Sequence, residues 1–443
     1  MKIKIEKIMI VLFSGILLST AAIAQQKEIT LDEGIQIGLK NSKTLHSSKM
    51  KVVSAEANLS EINASRLPSL SLNATYTRLS PITPFSFTLP FVGTYTISPS
   101  ILDNYNLKLT LQQPLFTGFK LSSSSDIAKY NSLAARQQYS QDQQDLILNI
   151  KNAYWGLFNA EKVKEAINDN YQQVKAHLTD VQNFFKQGLS TKNDVLKVEV
   201  QLSEIQLQQI DARNSVKIAV VNLDNIIGLP LSTELMIPQN VNVSENTEYD
   251  LDQLIDQAMQ NRPDLKALNY QVEASKSSIK LAESNWYPQI YLTGDYYYSK
   301  PNQRIFPSEN KFEGTWDVGV GLSVNLWNWG ATKDQTTQAE AQYEQSTDGL
   351  KTMKDAITLE VTQDFYDMVK AKEKVLVADQ TVAQAEENYR VTDDKFKQGM
   401  ALNSDLLDAE TALLQAKTNQ IQSLVDYELA AAKIERSTGT GIK

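Results

Sequence analysis

A chain of 443 residues with a formal charge of −9 and no cysteine has room for two domains but no disulfide, thiolate metal site or lipid-bearing N-terminal Cys. Its acidity, without basic blocks, excludes a nucleic-acid binder. His46 and His177 are the only histidines and neither sits in a Ser or Cys motif, so we expect no catalytic residue, no metal and no cofactor.

Lys2, Lys4 and Lys7 precede the apolar run "IMIVLFSGILL" (Ile8 to Leu18), which ends at the small-residue site Ala22-Ile23-Ala24. That anatomy predicts a secretory signal over residues 1–24, removed after Ala24. The run is shorter than the roughly 20 residues of a spanning helix.

Helical sequence then leads to Arg66, after which "LSLNATYT" (Leu70 to Thr77) and "YNLKLTLQ" (Tyr105 to Gln112) alternate apolar and polar residues. Period two over this length predicts a β-hairpin, about 70–112, with one apolar and one polar face. From Leu121 to Lys186 no proline interrupts a helical pattern, which becomes a heptad at Ile167, Tyr171, Val174, Leu178, Val181 and Phe185. Beyond "FKQG" the seam resumes at Val195, Val198, Leu202, Ile205, Gln209 and Ala212 and runs on to Ile226. Two such helices joined by a short loop predict an antiparallel coiled-coil hairpin.

The same plan is then written again. "FFKQGLSTKNDVLKVEV" (Phe184 to Val200) and "KFKQGMALNSDLLDAET" (Lys395 to Thr411) correspond at an offset of 211 residues. Upstream, "LDEGIQIGLKNSKTL" (Leu31 to Leu45) matches "LDQLIDQAMQNRPDL" (Leu251 to Leu265) at an offset of 220, so the first copy has the longer loop between its strands. We therefore expect one structural repeat over 25–228, a linker over 229–250 and a second repeat over 251–443, with its β-hairpin at about 289–326. Its helical seam, weaker and rich in alanine, runs through Leu406, Ala409, Leu413, Ala416, Gln420, Ser423, Tyr427, Ala430 and Ile434.

A soluble sheet would also alternate. Two features favour a membrane instead. The strands have the roughly 9–11 residues of a tilted spanning strand, and they carry aromatic residues, among them Tyr76, Tyr105, Tyr296, Tyr298 and Trp316, suited to a lipid–water belt. Four strands cannot close a barrel around a lumen, and open edges are not tolerated in lipid, so copies of the chain must close the sheet together.

Gly188 and Gly399 are expected to end their helices in a left-handed cap and turn the chain back. Thr191 and Asp194 would cap the first returning helix, and Ser404 or Asn403 the second.

The duplicated order of helix, hairpin, long helix, glycine turn and returning helix resembles the TolC-like outer-membrane efflux family. So do "QNRPDL" (Gln260 to Leu265), "QQPLFTGFK" (Gln112 to Lys120), "NLWNWG" (Asn325 to Gly330) and "IIGLPLS" (Ile226 to Ser232). The resemblance implies a mainly α protein with a β-barrel part in the outer membrane of a Gram-negative bacterium. Long antiparallel coiled-coil helices would form a periplasmic tunnel, and four transmembrane strands per chain would make a twelve-stranded barrel in a homotrimer. It further implies a passive, non-enzymatic exit duct for efflux or type I secretion, working with a periplasmic adaptor and an inner-membrane transporter. By the same resemblance the adaptor would dock at Gly188, Leu189, Gly399 and Met400. Asp405 and Asp408, with Asp194 nearby, would face a narrow periplasmic aperture. Helix-dipole stabilisation explains acids in a first turn equally well. Where some relatives carry a locking arginine, this chain has Ala401. The rival reading is a soluble periplasmic or surface coiled-coil adaptor, which would lack duplicated strands set between helices.

Overall fold

The computed structural model describes residues 27–98, 100–238 and 249–441. The predicted signal, 1–24, lies outside the described residues, as does the middle of the predicted linker. The first half runs β1 (Lys27–Glu28), α1 (Leu31–Asn41), α2 (Lys43–Ala64), β2 (Ser69–Arg78), β3 (Phe85–Leu89), β4 (Gly93–Ser98), β5 (Asp103–Phe116), α3 (Lys120–Lys186) and α4 (Lys192–Ile227). After β6 (Leu235–Met236) come α5 (Leu251–Asn261), α6 (Pro263–Glu283), β7 (Gln289–Lys300), β8 (Glu313–Ser323), α7 (Ala331–Lys397) and α8 (Asn403–Ser437). Part of the predicted linker is thus a strand: β6 pairs in parallel with β1, Lys27 opposite Leu235.

Helices α3 and α7 each have 67 residues, which at 1.5 Å per residue is about 100 Å. Each is held by an apolar seam against its partner, since packing of an amphipathic face supplies most of a helix's stability. Packed neighbours run in the order α4, α3, α8, α7, so the four helices form an open row with α4 and α7 at its edges. Between the hairpins lies a core of Ile167, Val174, Val181, Val195, Val198, Ile205, Ala212, Phe396 and Leu406. Each fully buried aliphatic there contributes about 1.5–3 kcal/mol. The first predicted seam matches this core from Ile167 to Ala212 except at one turn. Phe185 points outward, 44% exposed, and Phe184 takes the inner place, its ring centroid 5.5 Å from that of Phe396. Gln209 keeps its seam position by donating from Nε2 to Asn168 Oδ1 at 2.9 Å.

The sheet runs β2-β5-β7-β8, antiparallel throughout. Its strands sit where the alternation places them, except that β8 starts at Glu313 and stops at Ser323, before Leu326. Pairing puts Leu72, Leu109, Tyr296 and Trp316 in one row across the sheet and Asn73, Lys108 and Tyr297 in another. Because side chains alternate, the first row lies on an apolar face and the second on a polar face. Among the described residues β2 and β8 each leave one edge unpaired.

Candidate functional site

Two regions carry the chemistry of this molecule: the hairpin tips at one end and the sheet at the other. At each tip the helix ends in the same Schellman turn. Leu189 N–H donates to Phe184 O at 2.8 Å and Gly188 N–H to Phe185 O at 3.0 Å; Met400 N–H donates to Lys395 O at 2.8 Å and Gly399 N–H to Phe396 O at 2.9 Å. Gly188 and Gly399 have φ of 77° and 73°, the left-handed region, and a Cβ at either would meet nothing within 4 Å. The glycines are there for backbone conformation, not for space. Leu189 and Met400 stand 73% and 66% exposed beside them.

Asp194 closes a capping box with Thr191. Thr191 Oγ1 donates to its carboxylate at 2.6 Å, Thr191 N–H at 3.0 Å and Ser190 Oγ at 3.3 Å. These donors, the Thr191 hydroxyl foremost, hold the carboxyl below the usual range against the opposing effect of desolvation. In the second copy the cap differs from expectation. Leu402 is the N-cap, and Asp405 reaches back to accept from Leu402 N–H at 3.1 Å. Asn403 is inside the helix and buried, its Nδ2 3.5 Å from Asp194 O, so it ties the two tips together and cannot cap. Asp405 and Asp408 lie three residues apart on the exposed face of α8, while Leu406 and Ala409 between and beside them are buried.

Sequence reasoning missed the polar pair just above. His177 Nδ1 meets Glu410 Oε2 at 3.2 Å, and both residues are buried. It also missed the role of "QNRPDL". Arg262, 4% exposed, binds Asp264 at 2.6 Å and Glu360 at 2.6 Å, and Glu360 binds Arg436 at 2.5 Å, which locks α6, α7 and α8 together. A buried arginine with two carboxylates is legible in a sequence only once their positions in space are known.

On the sheet, Tyr76, Tyr105, Tyr296, Tyr298 and Trp316 all fall on the apolar face and are exposed. Tyr76 and Tyr105 have ring centroids 5.0 Å apart, toward the loop end of the sheet. At the helix end stands a second group that the alternation did not reveal: Phe119, Trp286, Tyr287, Trp327 and Trp329, with 56%, 56%, 45%, 73% and 88% exposure. Phe119 and Tyr287 meet edge to face at 5.5 Å and Trp327 and Trp329 at 5.7 Å. Strands of about 9–11 residues separate such girdles by a hydrocarbon thickness. Among the described residues no helix is long and apolar enough to cross a membrane, and no group of His, Asp or Glu could hold a metal ion.

Comparison with known proteins agrees with this geometry. The chain is 25% identical over 342 residues to the alkaline protease secretion protein AprF of Pseudomonas aeruginosa, covering 76% of this chain and 70% of that protein. It is 26% identical over 319 residues to the outer membrane protein TolC of Vibrio cholerae, covering 72% and 73%. The solved structure of the outer membrane protein VceC of Vibrio cholerae superposes with a TM-score of 0.78 at 18% identity, covering 93% of this chain and 97% of that one. Residues 34–229 and 254–440, the two repeats, each match the family described as outer membrane efflux protein. The soluble-adaptor alternative is thereby overturned. The chain belongs to the outer membrane efflux protein family, channels with a β-barrel in the outer membrane and a helical tunnel in the periplasm.

Proposed function

We propose that three copies of this chain close into one tube that serves as the exit duct of a tripartite efflux pump or type I secretion system. The observation that carries this reading is that both layers of the protomer are open at their edges. β2 and β8 are the free edges of the sheet, and α4 and α7 are the free edges of the helix row. The edge helices bear unpartnered apolar stripes at heptad spacing, Leu196, Val200, Leu207 and Ile210 on one and Leu359, Tyr366, Val369 and Leu376 on the other. A contact between two different edges is head-to-tail, and it makes a ring where the rotation between copies closes. Closure also satisfies the strand edges, which lipid does not tolerate.

In that ring the exposed Leu189 and Met400 beside Gly188 and Gly399 form the periplasmic end, an apolar rim for the adaptor, behind which an inner-membrane transporter supplies the energy. Asp405 and Asp408 of three copies supply six carboxylates at the narrow end, a ring that favours cations. Asp194, engaged in its capping box, holds the neighbouring tip in shape. Cargo passes without chemistry on the duct. The test is membrane fractionation with cross-linking: the protein should be extracted from the outer membrane by detergent as a trimer. A monomer, or a protein released without detergent, would overturn the reading.

A further inference from the structure

The two loops at the outer end of the sheet are built in opposite ways. The connection from β2 to β5 carries the β3–β4 ribbon, whose described residues make no hydrogen bond or ion pair to the four-stranded sheet. The connection from β7 to β8 folds back instead, and onto the polar face. The Arg304 guanidinium lies 4.2 Å from the ring centroid of Tyr297 and forms an ion pair with Asp317. Tyr297 pairs with Lys108 and Thr315 across the sheet, and Asp317 with Asp295, so both anchors belong to the polar rows. Asn302, 4% exposed, fixes the start of the loop: its Nδ2 donates to Glu313 O at 3.0 Å and to Thr315 Oγ1 at 3.2 Å. Its Oδ1 accepts from Arg304 N–H at 2.9 Å. The overhang encloses a cleft of about 430 Å³, with Pro301, Gln303 and Arg304 on one side and Thr75, Thr77 and Asn106 of β2 and β5 on the other.

We infer that this loop is a constriction at the outer mouth of the channel, held inside the lumen by Arg304. The inference rests on the ring of three, in which the apolar face meets lipid and the polar face lines the lumen. Three loops then narrow the mouth from three sides. Arg304 is matched by Asp317, and Asp295, directly opposite Asp317 in the same row, is matched by Lys108 at 3.1 Å, so the charges at this mouth are balanced in pairs. Opposed to it, at the tip, Asp405 and Asp408 have no basic partner among the described residues. The duct would therefore carry two constrictions in series, a hydrated and charge-balanced one outside and an acidic one inside, and the outer one would sort solutes by size more than by sign.

The absence of cysteine makes single-site labelling direct. Gln303→Cys, at an exposed loop position, and Gly319→Cys, on the polar wall, would each be spin-labelled in the detergent-purified full chain for distance measurement between copies. The inter-copy distance at 303 should be shorter than at 319; an equal or longer distance would overturn the constriction. Adding Arg304→Ala to Gln303→Cys should lengthen and broaden that distance, and an unchanged distribution would remove Arg304 as the anchor. In planar bilayers, a bulky thiol reagent on the outer side of the labelled Gln303→Cys channel should cut the current about twofold or more; complete labelling without a change would place the loop away from the ion path. A lack of coupling between copies at 319 would count against the ring, not against the loop.

Discussion

His177 Nδ1 lies 3.2 Å from Glu410 Oε2, and this contact joins α3 of the first repeat to α8 of the second, two residues beyond Asp408 and five beyond Asp405. Phe396 of α7 packs edge-on against the imidazole at 4.9 Å. His177 Nε2 and Glu410 Oε1 are both buried without a hydrogen-bond partner, and so is Asn403 Oδ1 nearby. A buried seam left partly unsatisfied is weaker than its apolar area suggests, since each such group costs about 1–3 kcal/mol. The seam between the hairpins is thus specific in register yet only partly satisfied in its polar groups.

Glu410→Ala should lower stability by about 1–3 kcal/mol, because it strands His177 in the core. The double variant His177→Leu with Glu410→Leu should recover most of that loss, as apolar pairs commonly replace buried polar ones. Urea unfolding of the detergent-solubilised protein checks both; if the double variant is no more stable than the single one, the contact is not the source of the weakness.

Asp224, fully buried near the end of α4, has both carboxylate oxygens without a partner, and burial pushes its pKa from 3.8 up to about 6. A raised folded-state carboxyl means that the folded chain holds its proton when the unfolded chain has lost it. Stability therefore falls as pH rises between 3.8 and about 6 and levels off above. Asp224→Asn should flatten this part of the pH–stability curve and be the more stable protein at neutral pH. Parallel curves for the two proteins would show that Asp224 does not titrate there.

At the tip, charge and capping can be separated. Asp405→Asn with Asp408→Asn removes the charges but leaves a side-chain oxygen for Leu402 N–H, whereas Asp405→Ala also removes the cap, at a cost of about 1 kcal/mol. The double Asn variant should weaken block of single-channel current by multivalent cations with little change in unfolding midpoint. Unaltered block would leave both residues with helix-terminus duty alone.

The rim and the turns should likewise respond differently. Leu189→Arg or Met400→Arg, at positions 73% and 66% exposed, should abolish efflux while the protein still assembles in the membrane. Gly188→Val or Gly399→Val forces a β-branched residue to φ of 77° or 73°, a strain of about 1–2 kcal/mol, and should lower heat stability. Efflux that survives the arginine variants would move the docking surface elsewhere.

Repetition made most of the fold legible. Strict alternation marked the four strands β2, β5, β7 and β8 to within a few residues, though not the β3–β4 ribbon, because both faces of that sheet meet contrasting media. The heptads marked the helix pairs because a coiled-coil seam repeats in sequence as it does in space. The tip turns could be read from "FKQG" because a Schellman turn is local. What failed were the places where local patterns competed. Phe184 and Phe185 are adjacent and equally apolar, so only packing against Phe396 decides which turns inward. Asn403 and Ser404 are good caps by type, yet the seam buries Asn403 one residue too late in the chain to cap.

The sequence by itself determined the duplication, the strand faces, the paired helices and the glycine turns, since each follows from periodicity or from the backbone of a few consecutive residues. Only the tertiary structure decided that His177 meets Glu410, that Arg262 gathers Asp264 and Glu360, and that Arg304 folds onto Tyr297 and Asp317. The reason is physical: pairing of polar side chains depends on which surfaces the long helices and strands bring together. A contact between residues 233 positions apart, as for His177 and Glu410, leaves no periodic trace in the chain.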